Sequence, residues 1–104
     1  MSEPTLIASE GEIDAASVEA FRRALSEAAR GGADRLVIDL TEVSFIDSSG
    51  LAALLDVHNR LRRDRRELVV VAPSGSAAAV LLELTGLRGS LSIFETRAGA
   101  LAIQ

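Results

Sequence analysis

Apolar and polar positions fall into short blocks along the chain, each with a strand-like or a helix-like period. "TLIAS" (Thr5 to Ser9) predicts a strand, followed by the turn-like "EGEID". Val18, Phe21, Leu25 and Ala28 then recur at helical spacing, with Asp14 ahead of them as an N-cap and Gly31-Gly32 behind them as a stop. "RLVIDL" (Arg35 to Leu40) is apolar and β-branched enough for a central strand buried on both faces. From Leu51 the stripe Leu51, Leu54, Leu55, Val57 and Leu61 predicts a second helix, whose opposite face carries Asp56, Asn59, Arg60 and Arg63. "ELVVVA" (Glu67 to Ala72) is another buried strand. "PSGS" opens a third helix that uses Val80, Leu81 and Leu84 and stops at Gly86. "LSIF" (Leu91 to Phe94) is a last strand, and "TRAGALAIQ" a short closing helix weakened by Gly99. Repeated strand and helix units of this length predict one α/β domain over residues 1–104, its sheet largely covered by helices.

Composition removes several classes of function. With 48% hydrophobic and 25% charged residues the chain is ordinary globular material, long enough for one domain with a core. It contains no cysteine, so disulfides, thiolate nucleophiles and cysteine-ligated zinc are excluded, and the lone His58 is a poor basis for a metal site. All eleven basic residues are arginine, so a P-loop lysine and a Schiff-base lysine are also absent. A net charge of −4 and three aromatic residues, all Phe, argue against direct nucleic-acid binding. No apolar run approaches the roughly 18 residues of a membrane helix, and the start of the chain lacks the features of a signal peptide, so a cytoplasmic protein without membrane contact is expected.

The chemistry concentrates in "FIDSSGL", where a strand gives way to a helix. Asp47, Ser48 or Ser49 can each cap the helix, and Gly50 allows a tight turn. A serine hydrolase fails on geometry: glycine is missing two residues before either serine, and Ser48 and His58, ten positions apart, lie roughly 15 Å from one another along a helix. His58 falls on the apolar stripe, where a partly buried histidine satisfied by a backbone carbonyl is expected. The arginines Arg60, Arg62, Arg63, Arg65 and Arg66 invite a phosphate or nucleic-acid reading, but they crowd a helix C-terminus, where cations complement the dipole and are ordinarily solvated, so a dedicated anion site is the lesser alternative. A further role for the hydroxyl is to be acted upon. A serine at an exposed helix N-terminus is open to a kinase, and the phosphate, about −1.5 to −2 charges, is tolerated there within the fold but expels a partner matched to the bare hydroxyl.

"GEID" (Gly11 to Asp14), "LVIDLTEVSFIDSSGLAALL" (Leu36 to Leu55), "ELVVVAPS" (Glu67 to Ser74) and "LLELTGLRGSLSIF" (Leu81 to Phe94) together resemble the STAS domain of bacterial anti-sigma factor antagonists. The resemblance implies a four- or five-stranded mixed sheet with helices packed on one side. It implies partner switching: the unphosphorylated antagonist binds an anti-sigma factor that is also a serine kinase, releasing a sigma factor in transcription and stress regulation. That kinase phosphorylates the serine after the motif aspartate, and a serine phosphatase resets the system. Carried onto this chain, the acceptor is Ser48, and the partner surface comprises Asp14, Asp47, Ser48, Ser49, Gly50, Asp56, Asn59, Arg60 and Arg63. The reading needs no cofactor, metal or catalytic residue. Family members usually carry an extra strand before the one ending in "GEID"; here either that edge strand is missing or a homodimer covers the open edge. The alternative keeps the fold and makes the domain a structural subunit of a stress-sensing complex or a lipid-transport ATPase.

Overall fold

The structure, a computed structural model, describes residues 3–102, so the last two residues of the predicted closing helix lie outside the described residues. Its elements are β1 (Thr5–Ile13), α1 (Val18–Arg30), β2 (Arg35–Ile46), α2 (Ser48–Arg63), β3 (Glu67–Val71), α3 (Ala77–Thr85), β4 (Ser92–Phe94) and α4 (Arg97–Leu101). The strands lie in the order β1-β2-β3-β4, and all three pairings are parallel. Four strands in an α/β layer match the expected architecture; the sheet is parallel and not mixed, because a helix returns the chain between each pair of neighbouring strands and so gives them the same direction. The edge strand β1 carries exposed Glu10 and Glu12, charges that discourage strand addition by a second copy.

The alternation of side chains divides β2 and β3 between two cores. Leu36, Ile38, Leu40, Leu68 and Val70 face α1, α2 and α3, whose Phe21, Leu25, Leu54, Leu61 and Leu82 complete the main core. Val37, Val69 and Val71 face the other way and are covered by Ala100 of α4. Three helices therefore share one side as expected, and α4 packs on the opposite one. Arg97 in its first turn holds it there: Nη2 lies 2.8 Å from Asp39 Oδ2, the one charged residue buried among the described residues.

Three elements depart from the face or the bounds expected of them. Expected to use Val80 and Leu84, α3 instead buries Ala78, Ala79 and Leu82 and leaves Val80 at 45% and Leu84 at 80% exposure. Its small residues let the helix lie close to the sheet, so the buried face follows alanines that a search for large apolar side chains passes over. The other departure is at the strand ends: β1 continues through "EGEI" and β2 through "TEVSFI", beyond the expected Ser9 and Leu40.

Candidate functional site

The sheet places the ends of β1 and β2 side by side. Ile13 pairs with Ile46, so Asp14 and Asp47 leave the same edge of the sheet on neighbouring strands. The Asp47 amide donates to the Ile13 carbonyl at 3.1 Å and ties the two exits together. Beyond β1 the Asp14 carboxylate accepts from the Ala16 and Ser17 amides, both at 3.0 Å, and its carbonyl accepts from Val18. Asp14 thus heads a turn ahead of α1 and is not the capping residue itself, which is Ser17.

Beyond β2, the choice of cap falls to Asp47. Its backbone is extended, and its carboxylate accepts from the Ser49 amide at 2.8 Å and the Gly50 amide at 3.4 Å. The helix therefore begins at Ser48, three residues before the first leucine of its stripe. Ser48 is exposed in the first helical position, and its hydroxyl makes no hydrogen bond among the described residues. Ser49 is half-buried. Gly50 is buried against Ile13 and Ile46: a Cβ there would lie 2.7 Å from a side-chain carbon of each. It shapes the site by letting the helix seat on the strands and presents no side chain to a partner.

The remaining predicted positions run along the solvent face of α2. At 100° per residue, Ser48, Ala52, Asp56, Asn59 and Arg63 fall within a sector of about 80° and extend over roughly 22 Å. All five are exposed, and Arg60 is half-buried at their margin. Asp56 is 2.8 Å from Arg22 of α1, an ion pair on open surface that contributes little to stability. Sequence reasoning missed Ala52 and Phe45. Phe45, 47% exposed, is turned outward by the register shift opposite Gly11 and Glu12, where β2 inserts Ser44 as an extra residue; no local pattern of apolar positions signals such a bulge.

His58 lies ten residues from Ser48 on the same helix and cannot serve it as a base. Its ring is partly buried as expected, but the backbone carbonyl is not found: Nδ1 is buried with no hydrogen-bond partner among the described residues. Burial and the neighbouring Arg62 charge push its pKa below the usual imidazole value. Among the described residues no three His, Cys, Asp or Glu side chains cluster as a metal site, and no helix is long and apolar enough to cross a membrane.

The sequence profile of the STAS domain matches residues 2–100. An anti-sigma-B factor antagonist of Listeria monocytogenes is 37% identical over 83 residues, covering 80% of this chain and 72% of that protein. The crystal structure of an anti-sigma factor antagonist from Mycobacterium paratuberculosis superposes with a TM-score of 0.82 at 27% identity, over 97% of this chain and 85% of that one. A Bacillus cell fate determinant, SpoIIAA, in its phosphorylated form gives 0.69 at 25% identity, over 95% and 88% of the respective chains. With its profile matched along nearly the whole sequence, the chain belongs to the STAS domain family.

Proposed function

We propose that the protein is a non-enzymatic anti-sigma factor antagonist whose binding is switched off by phosphorylation of Ser48. The observation that carries this reading is the state of Ser48: exposed, unbonded among the described residues, and presented on a helix start that another residue caps. Because Asp47 already occupies the Ser49 and Gly50 amides, a phosphate on Ser48 displaces nothing in the fold and projects into solvent, favoured by the helix dipole. The cost appears at an interface. A partner that closes over this helix end must desolvate a dianion beside the Asp47 carboxylate, which favours dissociation.

The partner of this reading is an anti-sigma factor that is also a serine kinase, with a serine phosphatase restoring the hydroxyl. Its contact surface is the sector from Ser48 to Arg63, with Asp14 beside it and Phe45 as an exposed aromatic anchor. Peptide mapping of the protein from its own cells tests the modification, since trypsin releases Leu36 to Arg60 as one fragment. Phosphate on Ser48 that varies with conditions is expected. Capture of the kinase by the wild type and by Ser48→Ala, with loss of capture by Ser48→Asp, is expected as well. Equal capture by all three sinks the switch.

A further inference from the structure

A cleft of about 260 Å³ opens at the end of α2 remote from Ser48, lined by His58, Arg62, Arg66, Glu67, Ser90 and Ser92. We propose that this cleft is a binding site for a small phosphate-bearing anion, separate from the surface around Ser48.

Charge is the first argument. Arg62 and Arg66 bring two guanidiniums to the cleft, while its one carboxylate, Glu67, is already engaged by Arg35 at 3.4 Å and by the Ser92 hydroxyl at 3.1 Å. The second is hydrogen bonding. Two side-chain nitrogens, His58 Nδ1 and Arg66 Nη2, are shielded from solvent and have no partner among the described residues, and both belong to side chains that line this cleft. An unmet buried polar group costs about 1–3 kcal/mol, so a small rotation of either side chain towards an acceptor in the cleft is favoured. Arg66 is also pre-positioned: its Nε donates to the Ala33 carbonyl at 2.7 Å and its amide to the Leu61 carbonyl at 2.7 Å, which holds the guanidinium with Nη2 to spare. Neutral His58 supplies an N–H in its Nδ1–H tautomer, and exposed Ser90 supplies a hydroxyl.

These donors converge from α2, from the turn after it and from the loop before β4, an arrangement suited to the several acceptors of a tetrahedral oxyanion. At about 30 Å³ per water the cleft exceeds a bare phosphate, leaving room for the organic part of a phosphomonoester. The arginine run is then divided. Arg62 and Arg66 serve the cleft, while Arg65, exposed and at φ 58°, forms the turn that brings Arg66 back.

The test is an NMR titration of the whole ¹⁵N-labelled chain with inorganic phosphate and, separately, glycerol 3-phosphate, at constant ionic strength. Saturable shifts at Arg62, Arg66 and Ser90 are expected. Tighter binding of the monoester identifies an organic phosphate as occupant; equal or tighter binding of inorganic phosphate identifies the free ion. Arg62→Gln, at an exposed position, is expected to weaken binding about tenfold, as for loss of one charge-assisted hydrogen bond. Arg66→Lys, which keeps the charge and loses Nη2, should weaken it too, and Arg30→Gln on α1 should leave it unchanged. Shifts that never saturate, or equal losses from Arg62→Gln and Arg30→Gln, reduce the effect to general attraction of anions and overturn the proposal.

Discussion

Replacing Gly50 by alanine opposes two effects of known sign, and the geometry decides between them. Gly50 is the third residue of α2, where alanine ordinarily gains about 1 kcal/mol over glycine. The new methyl would lie 2.7 Å from Ile13 Cγ2, 2.7 Å from Ile46 Cγ1 and 3.0 Å from Ile46 Cδ1. The two nearest contacts are at the base of β-branched side chains with stiff χ1 angles, and both isoleucines are buried, at 3% and 6% exposure. Relief therefore requires the helix start to move off the ends of β1 and β2. Overpacking of this kind costs about 1–3 kcal/mol, and two simultaneous contacts of 2.7 Å place it near the upper end. After the gain in helix propensity, a net loss of about 2 kcal/mol remains, or a fall in Tm of roughly 8–16 °C for a domain of this size. Thermal unfolding followed by circular dichroism reads it directly. Gly89→Ala is the control, because a Cβ there meets nothing within 4 Å. A Gly50→Ala protein as stable as the wild type would show that the helix does not need glycine to seat on the strands.

Three further outcomes follow from the same contacts. Asp47→Ala removes the cap of α2 and should cost about 1 kcal/mol, whereas Ser48→Ala should fall within about 0.5 kcal/mol of the wild type in urea unfolding, since only Asp47 holds the helix amides; the reverse order would contradict the capping assignment. At Asp39, burial pushes the pKa up, but the Thr41 hydroxyl and amide and Arg97 pull it further down, so the folded-state value is depressed. Its stabilisation is present above the unfolded carboxylate value near about 3.9 and is lost as the pH falls through the folded value; Arg97→Gln should raise the acid-unfolding midpoint, and an unchanged midpoint would remove the ion pair from the account. The depressed pKa of His58 works from the other side of neutrality: the folded protein resists protonation, so stability falls as the pH drops below the usual 6.5 and levels off below the folded value. His58→Gln should flatten that slope between pH values of about 7 and 5, read as urea midpoints.

The elements legible in the sequence were those whose partners are close in the chain or whose burial is complete. β2 and β3 could be read from continuous apolar runs because both faces are covered, and α1 from its stripe of Val18, Phe21 and Leu25. The outer parts of β1 and β2 were hidden because the two-stranded extension beyond β3, with exposed Ser44, Glu10 and Glu12, has the composition of a loop. The leucine stripe leaves the start of α2 open among caps at Asp47, Ser48 and Ser49, because a cap carboxylate, and not an apolar side chain, determines it. At the site, Ser48 and the α2 face were accessible to local reasoning. Phe45 was not, since its outward direction depends on a bulge set by β1. The Asp39–Arg97 pair, 58 residues apart, and the cleft joining His58 to Ser90 are products of tertiary packing alone.

The arrangement of α2 bears on whether its two ends communicate. Ser48 and Arg62 are fourteen residues apart, about 21 Å along the helix, while at physiological salt charges are screened over about 8 Å. A phosphate at Ser48 therefore has little direct electrostatic effect on the guanidiniums of the cleft. Coupling would have to travel through movement of the helix, and its buried Leu51, Leu54, Val57 and Leu61 lock it into a core in which displacement by even one methylene is costly. The two sites should act independently: Ser48→Asp should abolish partner capture while leaving the phosphate titration of the cleft unchanged. A shifted phosphate affinity in that variant would mean that the helix moves as a unit between two seats on the sheet, and that the close fit of Gly50 against Ile13 and Ile46 describes one of them.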